Sequence, residues 1–314
     1  MKIAVTGCAG FIGSAYSKYI LDNYPEDRVI GIDCLTYAAS HSALKILSER
    51  KNFTFYYNNI CDADSIEKIF SKERPDVVVN FAAESHVDRS LECSRPFIET
   101  NVLGTQVLLD ASRRHGVNRF HQVSTDEVYG DIPLSSDHRF TEGSPLNPSS
   151  PYSASKAAAD LLALSYMKTH ALPVSISRST NNYGINQHSE KLIPMAIGKI
   201  LEGISVPLYG DGRNMRDWLY VEDHCTAIDL IIRAGKCEIY NVGAGNHISN
   251  YDLVKKIMSI LDNPDGDIIF VEDRKGHDRK YAVSCDKLHA LGWKPQAEFD
   301  RELAKVVEWY MNAK

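Results

Sequence analysis

Lys2-Ile3-Ala4-Val5-Thr6-Gly7-Cys8-Ala9-Gly10-Phe11-Ile12-Gly13 is the stretch whose reading decides the fold. Residues 2–5 are apolar enough for a buried strand, and residues 14–23 carry a helical pattern. Between them, Gly7, Gly10 and Gly13 let the backbone turn tightly and approach a pyrophosphate. The helix that follows offers free N–H groups and a partial positive charge at its start. A second strand, residues 29–33, ends in Asp33, about twenty residues past the last glycine. A carboxylate there is placed to hydrogen-bond the hydroxyls of an adenosine ribose. The next residues, Cys34-Leu35-Thr36, bring no cation that could hold a 2′-phosphate. The pattern therefore predicts NAD rather than NADP.

Strands and helices alternate from there on. Residues 53–56, 76–81, 120–123 and 174–178 read as further strands, and 76–81 is a near-continuous apolar run of the kind found in buried parallel sheets. Ala82 and Ala83 at its end are small enough for a cofactor to lie close. Residues 65–72, 96–115 and 151–169 read as helices, with Asp62 or Asp64 capping the first and 96–115 forming one long helix. This order predicts an α/β fold, a doubly wound parallel sheet of Rossmann type. Residues 1–180 form the expected dinucleotide-binding domain, with a segment near 220–245 returning to it. Residues 181–314 form mainly a smaller, interleaved substrate-binding lobe, in which 209–218 reads as a loop. Residues 131–150, rich in Pro, Ser and Asp, read as a rim or lid.

The chemistry is expected where the fifth strand gives way to Ser124-Thr125-Asp126-Glu127-Val128-Tyr129-Gly130. Ligands of an open parallel sheet bind at the carboxyl ends of its strands. Tyr152 and Lys156 follow, four residues apart and so on one face of a helix. Together these side chains can move protons, a hydride and water at one carbon chain. Arg216 and Arg274 are candidates for holding a diphosphate by charge-assisted bonds. Ser85, in the polar loop 84–89, is a further substrate-binding candidate. His121, inside a strand, reads as a satisfied buried histidine, and Trp218 and Trp293 as core.

Composition narrows the partners. The formal net charge of -6 over 314 residues argues against nucleic acid or an anionic membrane surface. No window approaches the roughly 20 apolar residues a membrane span needs, and residues 1–7 are too short an apolar run for a secretory signal. The seven cysteines show no CxxC and no paired His spacing, so no metal site is expected. They read as reduced thiols of a cytoplasmic protein.

Several of these stretches resemble the extended short-chain dehydrogenase/reductase superfamily and, within it, the dTDP-glucose 4,6-dehydratases. They are residues 6–14, 33–38 (Asp-Cys-Leu-Thr-Tyr-Ala), 81–90 (Phe-Ala-Ala-Glu-Ser-His-Val-Asp-Arg-Ser), 124–130, 151–156, 181–184, 190–194, 216–224 and 276–281. The Thr-Asp-Glu trio at 125–127 is the specific feature, because it separates dehydratases from sugar epimerases. The resemblance implies that Tyr152 takes the proton of a sugar 4-hydroxyl, with Thr125 bonded to the same oxygen. Lowering its pKa from about 10 to near neutrality needs about 4 kcal/mol of differential stabilisation, expected from Lys156 and the nicotinamide. Glu127 would be the base at carbon 5 and Asp126 the acid at the departing 6-hydroxyl. NAD would be regenerated, not consumed. Asn59, standing where an Asp is usual, and Ile60 would hold the adenine. Asn181, Glu190, Lys191 and His277 match the family's substrate contacts. Cys8 stands where a second Gly is usual, and the loop after Gly130 is short. A homodimer built on helices near 100–114 and 152–168 is implied as well.

The substrate expected is a nucleotide-diphosphate hexose, most of all dTDP-glucose, with UDP-glucose or another UDP-hexose as the alternative. A 4-epimerase fits less well, having no need of the acid pair. A dinucleotide-sensing protein without chemistry fits less well again, having no need of Tyr152 and Lys156.

Overall fold

The computed structural model describes residues 1–312. Strand β1 (Lys2–Thr6) is followed by the Phe11–Asn23 helix, and β2 (Arg28–Asp33), β3 (Phe53–Tyr57) and β4 (Val77–Asn80) come next. Then come β5 (Arg119–Thr125), β6 (Val174–Ser179), β7 (Asn181–Tyr183), β8 (Val206–Tyr209), β9 (Met215–Tyr220), β10 (Ile239–Val242), β11 (His247–Ser249) and β12 (Ile268–Val271). Among the described residues, seven strands form one sheet in the order β3-β2-β1-β4-β5-β6-β10, and every neighbouring pair is parallel.

Parallel strands bury both faces, so alternate residues must each find an apolar layer. Ile3, Val5 and Val29 pack against Tyr16, Ile20 and Ile228. Ala4, Ile30 and Ile32 point the other way, against Ile66, Phe70 and Leu108. Helices therefore cover both sides, and the chain order reverses beside β1, between β2 and β4. The strand ends there make the crevice in which doubly wound sheets bind ligands. Asp62 caps the Ala63–Glu73 helix by accepting from Ser65 N at 3.1 Å.

After β6 the chain leaves the sheet. Strands β7, β9 and β11 form a small mixed sheet and β8 and β12 a two-stranded one. Ile193, Ile197, Leu253, Ile257, Leu303 and Val307 close a separate apolar core around Trp218. The Val221–Arg233 helix packs back on the Phe11–Asn23 helix, and β10 takes the edge position beside β6.

Two local expectations change. The stretch 96–115 is helical but not one α-helix, since Ile98–Gly104 is π-helical between Arg95–Phe97 and Thr105–Arg114. Wider turns of this kind redirect side chains. Here Asn101 reaches inward to the backbone of Glu84 and to Ser155 Oγ. The stretch read as a loop at 209–218 contains most of β9. Arg216 and Asp217 are charged, yet buried within it, and the polarity that suggested a loop is satisfied internally. Asp217 accepts from Ala244 N and Asn246 N. Residues 131–150 are irregular but tied down. Asp131 accepts from the Arg279 and Lys280 backbones, and Glu142 accepts from Asn241 N at 2.9 Å. Trp218 and Trp293 are buried, and His121 is bonded through both ring nitrogens to Ser175 and Ser177.

Candidate active site

A cleft of about 440 Å³ runs along the carboxyl ends of β1, β2, β4, β5 and β6 into the C-terminal lobe. At one end lies the glycine turn. Gly7 has φ +67°, and a Cβ there would meet Ala82 N at 2.8 Å. A Cβ on Gly13 would meet the Gly7 carbonyl oxygen at 2.2 Å. Backbone thus packs on backbone, and the helix starts at Phe11 with no side-chain cap on Gly10 and no acid in its first turn. The first N–H groups of a helix need partners, and here Gly10, Phe11, Ile12 and Gly13 line the cleft. That cradle fits a pyrophosphate.

Asp33 stands beside it, fixed by accepting from Ala9 N at 2.9 Å and Leu35 N at 2.8 Å. Asn59 and Ile60 line the same end. The Asn59 side-chain oxygen already accepts from Cys61 N at 2.9 Å and keeps a second lone pair for an amine. Ala82 and Ala83 line the middle. The residues present therefore fit a dinucleotide.

At the other end the cleft reaches Thr125, Asp126, Glu127, Tyr152 and Lys156. The acids sit on a short 3-10 turn, Asp126–Tyr129, capped by Thr125, which accepts from Glu127 N at 3.3 Å. Thr125 also donates to Asp126 Oδ1 at 3.3 Å. Burial, and after it the charge of Glu127, push the Asp126 carboxyl well above the ordinary range. Burial raises Glu127 too, but Arg216 and Arg274 pull the other way. Both carboxyls are raised, Asp126 well above its ordinary value, so the two differ in how tightly they hold a proton, a difference that acid–base work can use.

Tyr152 and Lys156 come from the Pro151–His170 helix, whose start is fixed by a capping box between Ser150 and Ser153. Burial lowers the Lys156 ammonium to about 8, and it donates to the Val123 carbonyl at 2.7 Å. Burial and the Glu127 charge push the Tyr152 phenol up, against hydrogen bonding with Thr125. Lys156 therefore does not by itself produce the lowered phenol expected from the sequence.

Ser85, Asn181, Glu190 and Lys191 also line the cleft. Lys191 donates to the Ser85 carbonyl at 2.9 Å. Among the described residues, Asp126 Oδ2, Thr180 Oγ1, Asn181 Oδ1 and Gln187 Oε1 are buried without a hydrogen-bond partner. Leaving such atoms unpaired is costly, and a polyhydroxylated ligand would pair them. Arg216, Arg274 and His277 are not among the residues lining the cleft, although both arginines act on Glu127. Arg216 donates to the Asp278 carbonyl at 2.9 Å and lies over the Tyr281 ring. Arg274 pairs with Asp88 at 3.3 Å and lies over Tyr209. His277 is bonded to Asp273 at 2.6 Å, and burial lowers it to about 4.

Sequence reasoning passed over Asp88, Tyr281 and Tyr37, which ties to Glu190 at 3.3 Å. All three lie inside motif stretches already singled out, so the signal was their position rather than their spacing. It also passed over the buried Asp160–Arg178 pair, whose members lie outside every such stretch.

The family described as GDP-mannose 4,6 dehydratase matches residues 4–306. A low-salt glycan biosynthesis protein of Haloferax volcanii is 47% identical over 99% of this chain and 99% of its own. The dTDP-glucose 4,6-dehydratase of Haemophilus influenzae is 46% identical, covering 99% of this chain and 98% of its own. The crystal structure of the dTDP-glucose 4,6-dehydratase of Streptomyces venezuelae with NAD bound superposes with a TM-score of 0.96. It is 43% identical, over 99% of this chain and 97% of that one. With a family match over nearly its whole length and full-length relatives above 40% identity, the chain belongs to the GDP-mannose 4,6 dehydratase family.

Proposed function

We propose that this chain is an NAD-dependent dTDP-glucose 4,6-dehydratase, a hydro-lyase that forms dTDP-4-keto-6-deoxyglucose. The observation that carries the reading is the Asp126–Glu127 pair lining, with Thr125 and Tyr152, the same cleft as the glycine turn. The substrate preference rests on relatives that carry this activity in their names.

Residues 1–180, with the segment near 220–245, form the cofactor domain, and 181–314 mainly the substrate lobe. Gly7, Gly10, Phe11, Ile12 and Gly13 bind the pyrophosphate of NAD, Asp33 its adenosine ribose, and Asn59 and Ile60 its adenine, with Ala82 and Ala83 alongside. The chemistry that bound NAD supplies is a positive ring charge and the acceptance of a hydride that returns to the same sugar. Tyr152 takes the 4-hydroxyl proton, with Thr125 hydrogen-bonded to that oxygen and Lys156 adding positive charge. The 4-ketone acidifies carbon 5. Glu127 removes that proton, Asp126 gives its own to the 6-hydroxyl, which leaves as water, and Glu127 returns a proton to carbon 5 as the hydride is delivered to carbon 6. Ser85, Asn181, Glu190, Lys191 and His277 contact the substrate, and Arg216 and Arg274 hold its diphosphate.

Leu91, Ile98, Leu103 and Leu161 are exposed on helices that pack together. They suit the face of a homodimer, and Leu161→Arg would give a monomer in sedimentation. No described helix is long and apolar enough to cross a membrane. The seven free thiols suit the cytoplasm.

The test is product mass from dTDP-glucose, UDP-glucose, CDP-glucose and GDP-mannose, each supplied separately. Loss of one water from dTDP-glucose in preference to the others supports the reading. Loss of water from none of them, or an unchanged mass with inverted carbon 4, refutes it.

A further inference from the structure

We infer that Tyr37, Arg89, His188 and Glu190 form a clasp across the mouth of the dinucleotide cleft that slows release of NAD. The clasp rests on the cofactor assignment above and adds to it a reason for retention.

The two rims come from distant parts of the chain. Thr36 and Ala38, on either side of Tyr37, line the cleft, as do His188 and Glu190 from much later in the chain. Across the opening, the Tyr37 hydroxyl donates to Glu190 Oε1 at 3.3 Å. The Tyr37 ring meets the edge of His188, with centroids 5.4 Å apart at 87°. The Arg89 guanidinium lies over the same ring, 3.8 Å from its centroid. Arg89 is also 3.7 Å from Glu190 Oε2, which lies 3.7 Å from His86 and His188 as well.

One tyrosine is thus held by a cation, an aromatic edge and a carboxylate from both rims. Tyr37 is nevertheless 41% exposed, so it supports no apolar core. A contact joining two rims has to open before a long ligand lying beneath it can leave. Packing on a cation and hydrogen bonding to a charged group are each worth enough to matter to such an opening. A reaction that returns its hydride to the same sugar has no need of cofactor exchange, so slow release costs no turnover.

The experiment follows NAD leaving the purified holoenzyme, with a coupled dehydrogenase consuming it as it appears. Tyr37→Ala removes every contact of the ring and is expected to speed release about tenfold. Tyr37→Phe keeps the ring contacts, loses the bond to Glu190, and is expected to fall between. The melting temperature of the NAD-free protein should stay at the wild-type value in both, which separates a clasp from a general structural role. Release from Tyr37→Ala at the wild-type rate overturns the clasp and leaves the cofactor assignment standing. A wild-type chain that carries no NAD and binds none on addition overturns both.

Discussion

Arg178 donates from Nε to Asp160 Oδ2 at 2.9 Å, and both side chains are shut away from solvent. The same guanidinium donates to the Tyr129 hydroxyl at 2.9 Å, and that hydroxyl donates to Asn241 at 2.8 Å. The chain of bonds ties the Tyr152 helix, β6, the turn that carries the acid pair and β10 into one unit. Breaking a buried pair strands a charge, at about 3 to 5 kcal/mol. Arg178→Met should lower unfolding stability by that amount in urea denaturation. A loss below about 1 kcal/mol would mean that the pair does not hold the site together.

Asp126 gives a prediction with a definite pH dependence. Its folded carboxyl binds its proton more tightly than in the unfolded chain. The folded state is therefore penalised above the unfolded value of about 3.9 and not below it. Asparagine resembles the protonated acid. Asp126→Asn should raise stability at pH 7 by about 1 kcal/mol, the scale of gains at strained functional sites, while abolishing turnover. The gain should vanish near pH 4. Melting curves at the two pH values check this, and a gain that grows on acidification would contradict the assignment.

Gly13→Ala tests the cradle. The added methyl meets the Gly7 carbonyl, not a side chain that could swing aside. The turn must move, at about 1 to 3 kcal/mol. The variant is expected to melt lower and to purify with less NAD per chain than the wild type. Undiminished cofactor content would place the pyrophosphate elsewhere.

Much of this architecture was legible in the sequence, for identifiable physical reasons. Glycines 7, 10 and 13 between a strand and a helix have few alternative uses, and Val77–Asn80 is too apolar to lie anywhere but inside a sheet. The acid pair could be placed because it follows an apolar strand. What escaped was decided by tertiary partners. Residues 98–104 have an ordinary helical sequence, and the π turn comes with the inward bonds of Asn101. Strand β9 was hidden because Arg216 and Asp217 look like surface charges until Asp278 and the backbone of 244–246 satisfy them. The contact of Lys156 with Val123, rather than with Tyr152, depends on how the helix lies on β5. The Tyr37–Glu190 contact joins residues 153 positions apart, and no local pattern records it.

The proposed roles of Glu127, as base at carbon 5, and of Asp126, as acid at the 6-hydroxyl, can be read from turnover of dTDP-glucose in D2O by mass spectrometry and proton NMR. The wild-type chain should yield a product lacking one water and carrying solvent deuterium at carbon 5. Glu127→Gln should lower product formation by about 10²- to 10⁴-fold. A dehydrated product from Glu127→Gln at the wild-type rate, or a wild-type product with no deuterium at carbon 5, would contradict the account.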